Sequence, residues 1–313
     1  MASCLAGAAR ACAVLASSRM SKALAGPPMR QAFLICAHKD LDQLNRLVEQ
    51  LCDPDFLVYV HLDRKSGLDP ARLHPHARAV RERVAVRWGQ VSQVEATLTS
   101  VRQILAEAPV FDKLVLLSAQ DFPLLPNPLL KAALARLRDR ELIETAPIAP
   151  DGWRVMHRYA YFHRAGGHPA ERLACVAANR VLRLLRRTRR LPGGFTPYGG
   201  SCWWALSRDC LRDMLALADA HPRLLRFCRS VQSPDELFFQ TLVMHSRHAG
   251  RVLSNNFRYI AWPDGGACHP RVLDEGDLER LKASGAHFCR KLDSHASAAL
   301  LPRLLAWKDG RAA

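Results

Sequence analysis

Apolar and polar positions group along the chain into short blocks of two periods. Gln31 to Ala37 is a continuous apolar run of strand length that stops at His38-Lys39-Asp40. Leu41 to Cys52 follows with apolar residues at 41, 44, 47, 48 and 51, the spacing of an amphipathic helix. Phe56 to Leu62 is a second strand, ending at Asp63-Arg64-Lys65-Ser66. Val84 to Val86 predicts a short third strand that delivers Trp88-Gly89-Gln90, and a helix runs from Ser92 to about Ala106. Leu114 to Leu117 predicts a fourth strand before Ser118-Ala119-Gln120-Asp121-Phe122-Pro123-Leu124. Strands alternating with helices at this spacing build βαβ units and a mostly parallel, Rossmann-type sheet. Such sheets bind ligands at the carboxyl ends of their strands, where His38, Asp63, Trp88 and Asp121 fall. Asp and Gly after strands are also plain turn formers, so each position has a structural reading as well.

The middle of the chain is less regular. Trp153 to His163 reads as extended and aromatic. Ala170 to Arg190 reads as a helix that carries seven arginines, with Val176, Val181, Leu182, Leu184 and Leu185 as its apolar stripe. A basic amphipathic helix either lies on an anionic membrane or presents a solvated face. Leu191-Pro192-Gly193-Gly194 ends it. Trp203 to Leu206 predicts a strand and Asp209 to Ala220 a helix. Ser233 to Leu242 has the marks of a capped helix. Ser233 suits the N-cap, Pro234 the first position and Asp235 and Glu236 the first turn, ahead of Leu237, Phe238, Thr241 and Leu242 on one face. Phe257 to Trp262 predicts a strand and Leu278 to Ser284 a helix, before Phe288-Cys289-Arg290-Lys291. No internal repeat or linker interrupts residues 29–313, which read as one domain.

Composition adds a constraint. Hydrophobic residues at 49% and charged residues at 24% are ordinary for a globular chain of 313 residues, but a formal charge of +16 is not. It points to an anionic partner: nucleic acid, a membrane surface or a phosphate-bearing substrate. With no zinc finger, aromatic RNA-binding signature or basic tail, nucleic acid is the minor reading. The ten cysteines form no CxxC pair, which favours free thiols in a reducing compartment over a metal site. No apolar run approaches the roughly 20 residues that span a bilayer. Residues 1–28 read as a disordered extension, or as the result of a start codon called too early, with Met29 the true beginning.

Three stretches carry candidate chemistry. Asp235 and Glu236 stand at a helix mouth, Trp203 and Trp204 follow the pair Gly199-Gly200, and Arg290-Lys291 is a pair of cations. Together they supply a base, an apolar acceptor platform and an anion clamp. Read structurally, the first two are a well-capped core helix and two core tryptophans.

Val60-His61-Leu62-Asp63-Arg64-Lys65-Ser66, Leu117-Ser118-Ala119-Gln120-Asp121-Phe122-Pro123-Leu124, Gly200-Ser201-Cys202-Trp203-Trp204, Ser233-Pro234-Asp235-Glu236 and Phe288-Cys289-Arg290-Lys291-Leu292-Asp293 occur in this order. In that order they resemble the core-2/I-branching glycosyltransferases (glycosyltransferase family 14), which include the peptide O-xylosyltransferases. His269-Pro270-Arg271-Val272-Leu273, Phe239 and Trp88-Gly89 lean toward the xylosyltransferase branch. The resemblance implies a GT-A-type α/β domain, a UDP-sugar donor of xylose or N-acetylglucosamine type, and inversion at the anomeric carbon. It implies a glycan, glycolipid or peptide hydroxyl as acceptor, and no cofactor or divalent metal. By the same resemblance Glu236 is the general base, Arg290 and Lys291 hold the diphosphate, and Asp63 holds the uracil. Trp88 and Gly89 fall near the nucleoside. Trp203 and Trp204 offer a face to the acceptor sugar, and Asp121 either supports the acceptor site or caps a turn.

The chemistry suits these residue types. In-line displacement needs a carboxylate for the acceptor proton and positive charge on the departing diphosphate. Asp53-Pro54-Asp55 spells a metal-binding DxD but stands before a strand, where a turn is expected. Two departures stand out. Cys202 replaces an acid of the xylosyltransferase pattern, and the membrane anchor, stem and disulfides of the animal enzymes have no counterpart here. The expectation is therefore a cytoplasmic enzyme, free or peripheral at the inner membrane face. The competing reading is a non-catalytic protein of the same fold that binds anionic lipid or nucleic acid through its basic surface.

Overall fold

The computed structural model describes residues 30–149, 151–163, 169–263 and 269–310. The expectation for residues 1–28 lies outside them. Strand β1 (Gln31–Ala37) leads to helix α1 (Leu41–Gln50), β2 (Phe56–Leu62), β3 (Ala77–Ala79) and α2 (Val91–Glu107). Next come β4 (Lys113–Ser118), β5 (Asp121–Pro123), α3 (Asn127–Arg136), β6 (Glu141–Ile143) and β7 (Ala146–Pro147). The middle holds α4 (His157–Ala160), α5 (Pro169–Leu184), β8 (Tyr198–Gly199) and β9 (Trp204–Ser207). Helices α6 (Arg208–Ala220), α7 (Pro222–Cys228) and α8 (Phe238–Met244) precede β10 (Val252–Leu253) and β11 (Arg258–Ile260). The chain closes with α9 (Leu278–Ala283), β12 (Phe288–Arg290) and α10 (Leu300–Asp309).

The central sheet runs β10-β6-β9-β4-β1-β2-β3. Strands β4, β1, β2 and β3 are parallel, and β9 enters antiparallel between β4 and β6. β1 is apolar on both faces because both are covered. Ala32 and Leu34 face one core with Val94, Val101 and Ile104 of α2, while Phe33 and Ile35 face the other with Leu44, Leu47 and Val48 of α1. Asp40 starts α1, its carboxylate accepting from the Gln43 N–H at 3.1 Å. The result is a GT-A-like α/β domain with one mostly parallel sheet between helical layers. No described helix is long and apolar enough to cross a membrane, and the cysteines among the described residues are free.

Three expected elements differ. The third strand is Ala77–Ala79, not 84–86. Side chains at the end of β2 hold residues 84–86 instead: the Val84 N–H donates to His61 Nε2 at 3.0 Å and the Val86 N–H to Asp63 Oδ1 at 3.2 Å. Within 153–163 the chain folds a short helix, α4. The helix expected to begin at Ser233 is broken. Ser233 is left-handed (φ 49°) and makes no side-chain cap, Pro234–Glu236 is a 3₁₀ turn, and α8 starts at Phe238. The cause is tertiary. The Ser233 N–H donates to Gly89 O at 3.0 Å, and the Glu236 carbonyl, which a continuous helix would use, accepts from the Gly200 N–H at 3.1 Å.

A smaller sheet, β11-β12-β5, stands at the carboxyl end of the large one. Asp121 of β5 pairs with Arg290 of β12. Its carboxylate is fully buried, accepts from the Ser118 N–H and Oγ, and lies 2.8 Å from Arg258 Nε and 3.8 Å from Arg290 Nε. Asp121 is thus under the site wall, not an acceptor-binding group, because two arginines and a serine enclose it. Asp121→Asn leaves both guanidiniums without their counter-charge, and urea unfolding is expected to register a loss of about 3–5 kcal/mol. A loss below about 1 kcal/mol would mean that the carboxylate is not what compensates them.

Candidate active site

The carboxyl ends of β1, β2 and β4 open on a cleft of about 1330 Å³ whose floor includes His38, Asp63 and Ser118. One wall is the Ser233–Glu236 turn, and the other is the small sheet with Arg258, Arg290 and Lys291.

The acid wall separates two neighbouring carboxyl groups. The Glu236 side chain is 30% exposed to the cleft and paired with Arg158, whose guanidinium lies 5.1 Å from the Trp153 ring centroid. Asp235 is buried and accepts from Gln93 Nε2 at 3.1 Å. Burial, then the charge of Glu236, pushes its carboxyl up to about 7, against the opposing pull of Arg158 and Cys202. The turn is held by close backbone approaches. Gly89 has φ +67°, where a side chain would be strained. A Cβ at Gly199 would sit 2.5 Å from the Trp153 ring, and one at Gly200 2.1 Å from the Glu144 carbonyl oxygen, which accounts for the glycine pair.

The cation wall is built around Trp203. The Arg290 and Arg258 guanidiniums lie 4.3 and 4.9 Å from its ring centroid. Arg290 Nη2 donates to Ser118 Oγ at 3.4 Å, while Arg258 Nη1 is buried without a hydrogen-bond partner. Burial, then Arg290 and Lys39, holds the Lys291 ammonium below its ordinary value. One carboxylate therefore serves two guanidiniums, with Lys291 beside them. This surplus of fixed positive charge in a partly desolvated wall favours an anion.

Other expected residues are placed as follows. Asp63 is at the cleft, but Oδ1 already accepts from the Lys65 and Val86 N–H groups at 2.9 and 3.2 Å. Trp88, 63% exposed, packs at the rim with its ring centroid 4.5 Å from that of His269. Trp203 lines the cleft under the arginines. Trp204 does not reach it. Adjacent strand residues point to opposite sides, and Trp204 turns into the core, 5.9 Å from the Phe239 ring. Sequence reasoning missed Arg158, Arg258, Glu144 and Trp262, all of which line the cleft. Arg258 carried a signal, a lone cation in the aromatic run Phe257-Arg258-Tyr259. Arg158 carried none, since its partner Glu236 is 78 positions away. Among the described residues Glu141, Cys210 and His248 come close enough to share a metal ion, outside the cleft. Ser207 engages Glu141 through its N–H and its hydroxyl at 2.7 Å each, and Asp213 engages His248.

The Asp235 environment has a measurable consequence. An unfolded aspartate ionises near 3.9, so between about pH 4 and pH 7 the unfolded chain releases this proton while the folded one keeps it. Stability from this group is therefore lost as pH rises through that window. Asp235→Asn has no such proton, and its unfolding free energy is expected to gain on the native protein by up to about 4 kcal/mol from pH 4 to 7. Parallel pH profiles in urea unfolding would refute the burial argument.

Comparison with known proteins agrees with this architecture. The chain is 25% identical over 307 residues to xylosyltransferase 1 of Mus musculus, covering 90% of this chain and 31% of the relative. It is 28% identical over 291 residues to xylosyltransferase 1 of Canis lupus familiaris, covering 85% and 29%. Xylosyltransferase 2 of the same species is 26% identical over 304 residues, covering 88% and 33%. The chain thus spans about a third of the length of these relatives. Residues 31–283 match the model of the Core-2/I-Branching enzyme family, and the chain belongs to that family of glycosyltransferases.

Proposed function

We propose that the protein transfers a sugar of xylose or N-acetylglucosamine type from a UDP-sugar to an acceptor hydroxyl, with inversion and without a divalent cation. The supporting observation is the opposition of charges across one cleft. An accessible carboxylate, Glu236, stands on one wall, and the surplus cations Arg258, Arg290 and Lys291 stand on the other. Cys202 lies within electrostatic reach of both, beside Asp235, Arg290, Glu236 and Arg258. Glu236 takes the acceptor proton as the hydroxyl oxygen attacks the anomeric carbon, and the bond to the diphosphate breaks on the opposite face. Arg290 forks onto the diphosphate, Lys291 adds a point charge, and Arg258 Nη1 offers a further donor. Fixed cations do here what a metal ion does elsewhere. Asp63 orients the uracil, with Trp88 and Gly89 along the nucleoside. The names of the relatives favour xylose as the donor sugar.

Two measurements test this reading. In buffer with EDTA, UDP-xylose or UDP-N-acetylglucosamine is expected to be turned over, and Glu236→Gln to slow transfer about a hundredfold or more with UDP affinity unchanged. No turnover of either donor would favour the non-catalytic reading, and rescue only by manganese would remove metal independence. Replacing Arg290 and Lys291 together by Ala is expected to weaken UDP binding by about 2–5 kcal/mol in calorimetry. Unchanged affinity in the folded double variant would take the diphosphate away from this wall.

A further inference from the structure

Helix α5 (Pro169–Leu184) sits on the molecule with its apolar side outward. None of its residues is buried. At about 100° per residue, Leu173, Val176, Ala177, Arg180 and Leu184 share one face. Leu173, Val176 and Leu184 are 70%, 63% and 82% exposed, and Val181 and Leu185 are 53% and 57% exposed on the adjoining side. The protein-facing side is partly buried: it carries Cys175, Ala178 and Leu182, and polar groups beside them fix it in place. The Asn179 amide accepts from the Phe162 N–H at 2.8 Å and donates to the Phe162 carbonyl at 2.9 Å. Just past the helix, Arg189 donates to the carbonyls of Tyr161 and Ser230 at 3.1 and 3.0 Å. A helix on a protein surface usually turns its apolar residues inward, so a second apolar stripe left facing outward has no covering element among the described residues.

Charge identifies what covers the stripe. Arg172, Arg180, Arg183, Arg186, Arg187 and Arg190 are exposed around it, and residues 172–190 contain no acid. A second copy meeting face to face would set these arginines against themselves. Residues 1–29 have three cations and no acid, so they are no complement either. An anionic bilayer supplies both requirements, an acyl boundary for Leu173, Val176 and Leu184 and phosphates for the arginines.

We propose that α5 and the arginines after it form a docking face for an anionic lipid surface. Leu173, Val176, Val181 and Leu184 enter the boundary between headgroups and acyl chains, and the arginine stems reach the phosphates. The face is tied to the acid wall of the cleft. Phe162, which holds Asn179, follows α4, and α4 carries Arg158 to Glu236. Docking does not depend on the sugar-transfer reading, and its test measures no turnover.

The test is co-sedimentation of the whole chain with vesicles of phosphatidylcholine alone, or of phosphatidylcholine and phosphatidylglycerol in equal parts. At low salt the native protein is expected to partition about tenfold or more in favour of the anionic vesicles, and to be released as salt screens the charge. Two variants are expected to lose that preference about tenfold: Leu173→Ser with Val176→Ser and Leu184→Ser, and Arg180→Gln with Arg183→Gln, Arg186→Gln and Arg187→Gln. All these side chains are exposed, with Arg183 also 5.0 Å from the Tyr161 ring centroid, so melting temperatures should change little. Arg46→Gln with Arg78→Gln, Arg280→Gln and Arg303→Gln removes equal charge from exposed sites elsewhere and is expected to bind as the native protein does. Equal binding to both vesicle types overturns the proposal, as does undiminished binding of the serine variant. A native dimer in sedimentation equilibrium that the serine variant abolishes would assign the face to a second copy.

Discussion

A single buried carboxylate organises the cation wall. Asp121 is fully enclosed, and its oxygens meet Ser118 on one side and Arg258 and Arg290 on the other. Placing two guanidiniums around one acid in a dry wall is costly unless the geometry is good, because each charge has left water. The cost is offset by ring contacts with Trp203 and by the Leu116 carbonyl, which accepts from Arg258 Nη2 at 3.0 Å. What remains is a net positive surface facing the cleft and fixed before any ligand arrives. In the sugar transfer proposed above, preorganised charge of this kind would meet the departing diphosphate without rearrangement.

The acid wall works by contrast. Asp235 and Glu236 are chain neighbours, but the 3₁₀ turn sends one carboxyl inward and leaves the other at the cleft beside Arg158. Burial then favours the protonated form of Asp235, next to a half-buried Glu236 paired with Arg158. The turn is held by Gly89, which takes the Ser233 N–H, and by Gly200, which takes the Glu236 carbonyl that a continuous helix would have used. Small residues at 199 and 200 are needed for that approach, so the glycine pair and the acids belong to one device. Helix α5 is joined to this wall through Phe162, which pairs with Asn179, and through α4, which carries Arg158 to Glu236.

Much of the fold was legible in the residues themselves. Continuous apolar runs and helical spacing located β1, α1, β2, α2, β4, α6 and α9 to within a few positions, because those elements bury one face or both and their apolar pattern records it. The carboxyl-end rule also brought His38 and Asp63 to the cleft, since backbone polarity and sheet order dictate where strand ends gather. The charge of α5 was equally plain.

Tertiary structure decided the rest. Residues 84–86 join no strand because His61 and Asp63 take the Val84 and Val86 N–H groups, a long-range substitution that no local pattern encodes. The Ser233 segment has every local mark of a capped helix, yet its backbone bonds go to Gly89 and Gly200, so cross-chain hydrogen bonding overrides propensity. Trp203 and Trp204 are equivalent as letters. Only the strand's position between β4 and β6 sends Trp204 into the core and leaves Trp203 under two arginines. Asp121 looked like a ligand at a strand end, but its role as counter-charge required Arg258 and Arg290 to be folded beside it. Local sequence determines which face of an element is apolar. Which side chains share a wall is settled by contacts between residues far apart in the chain, through burial and charge.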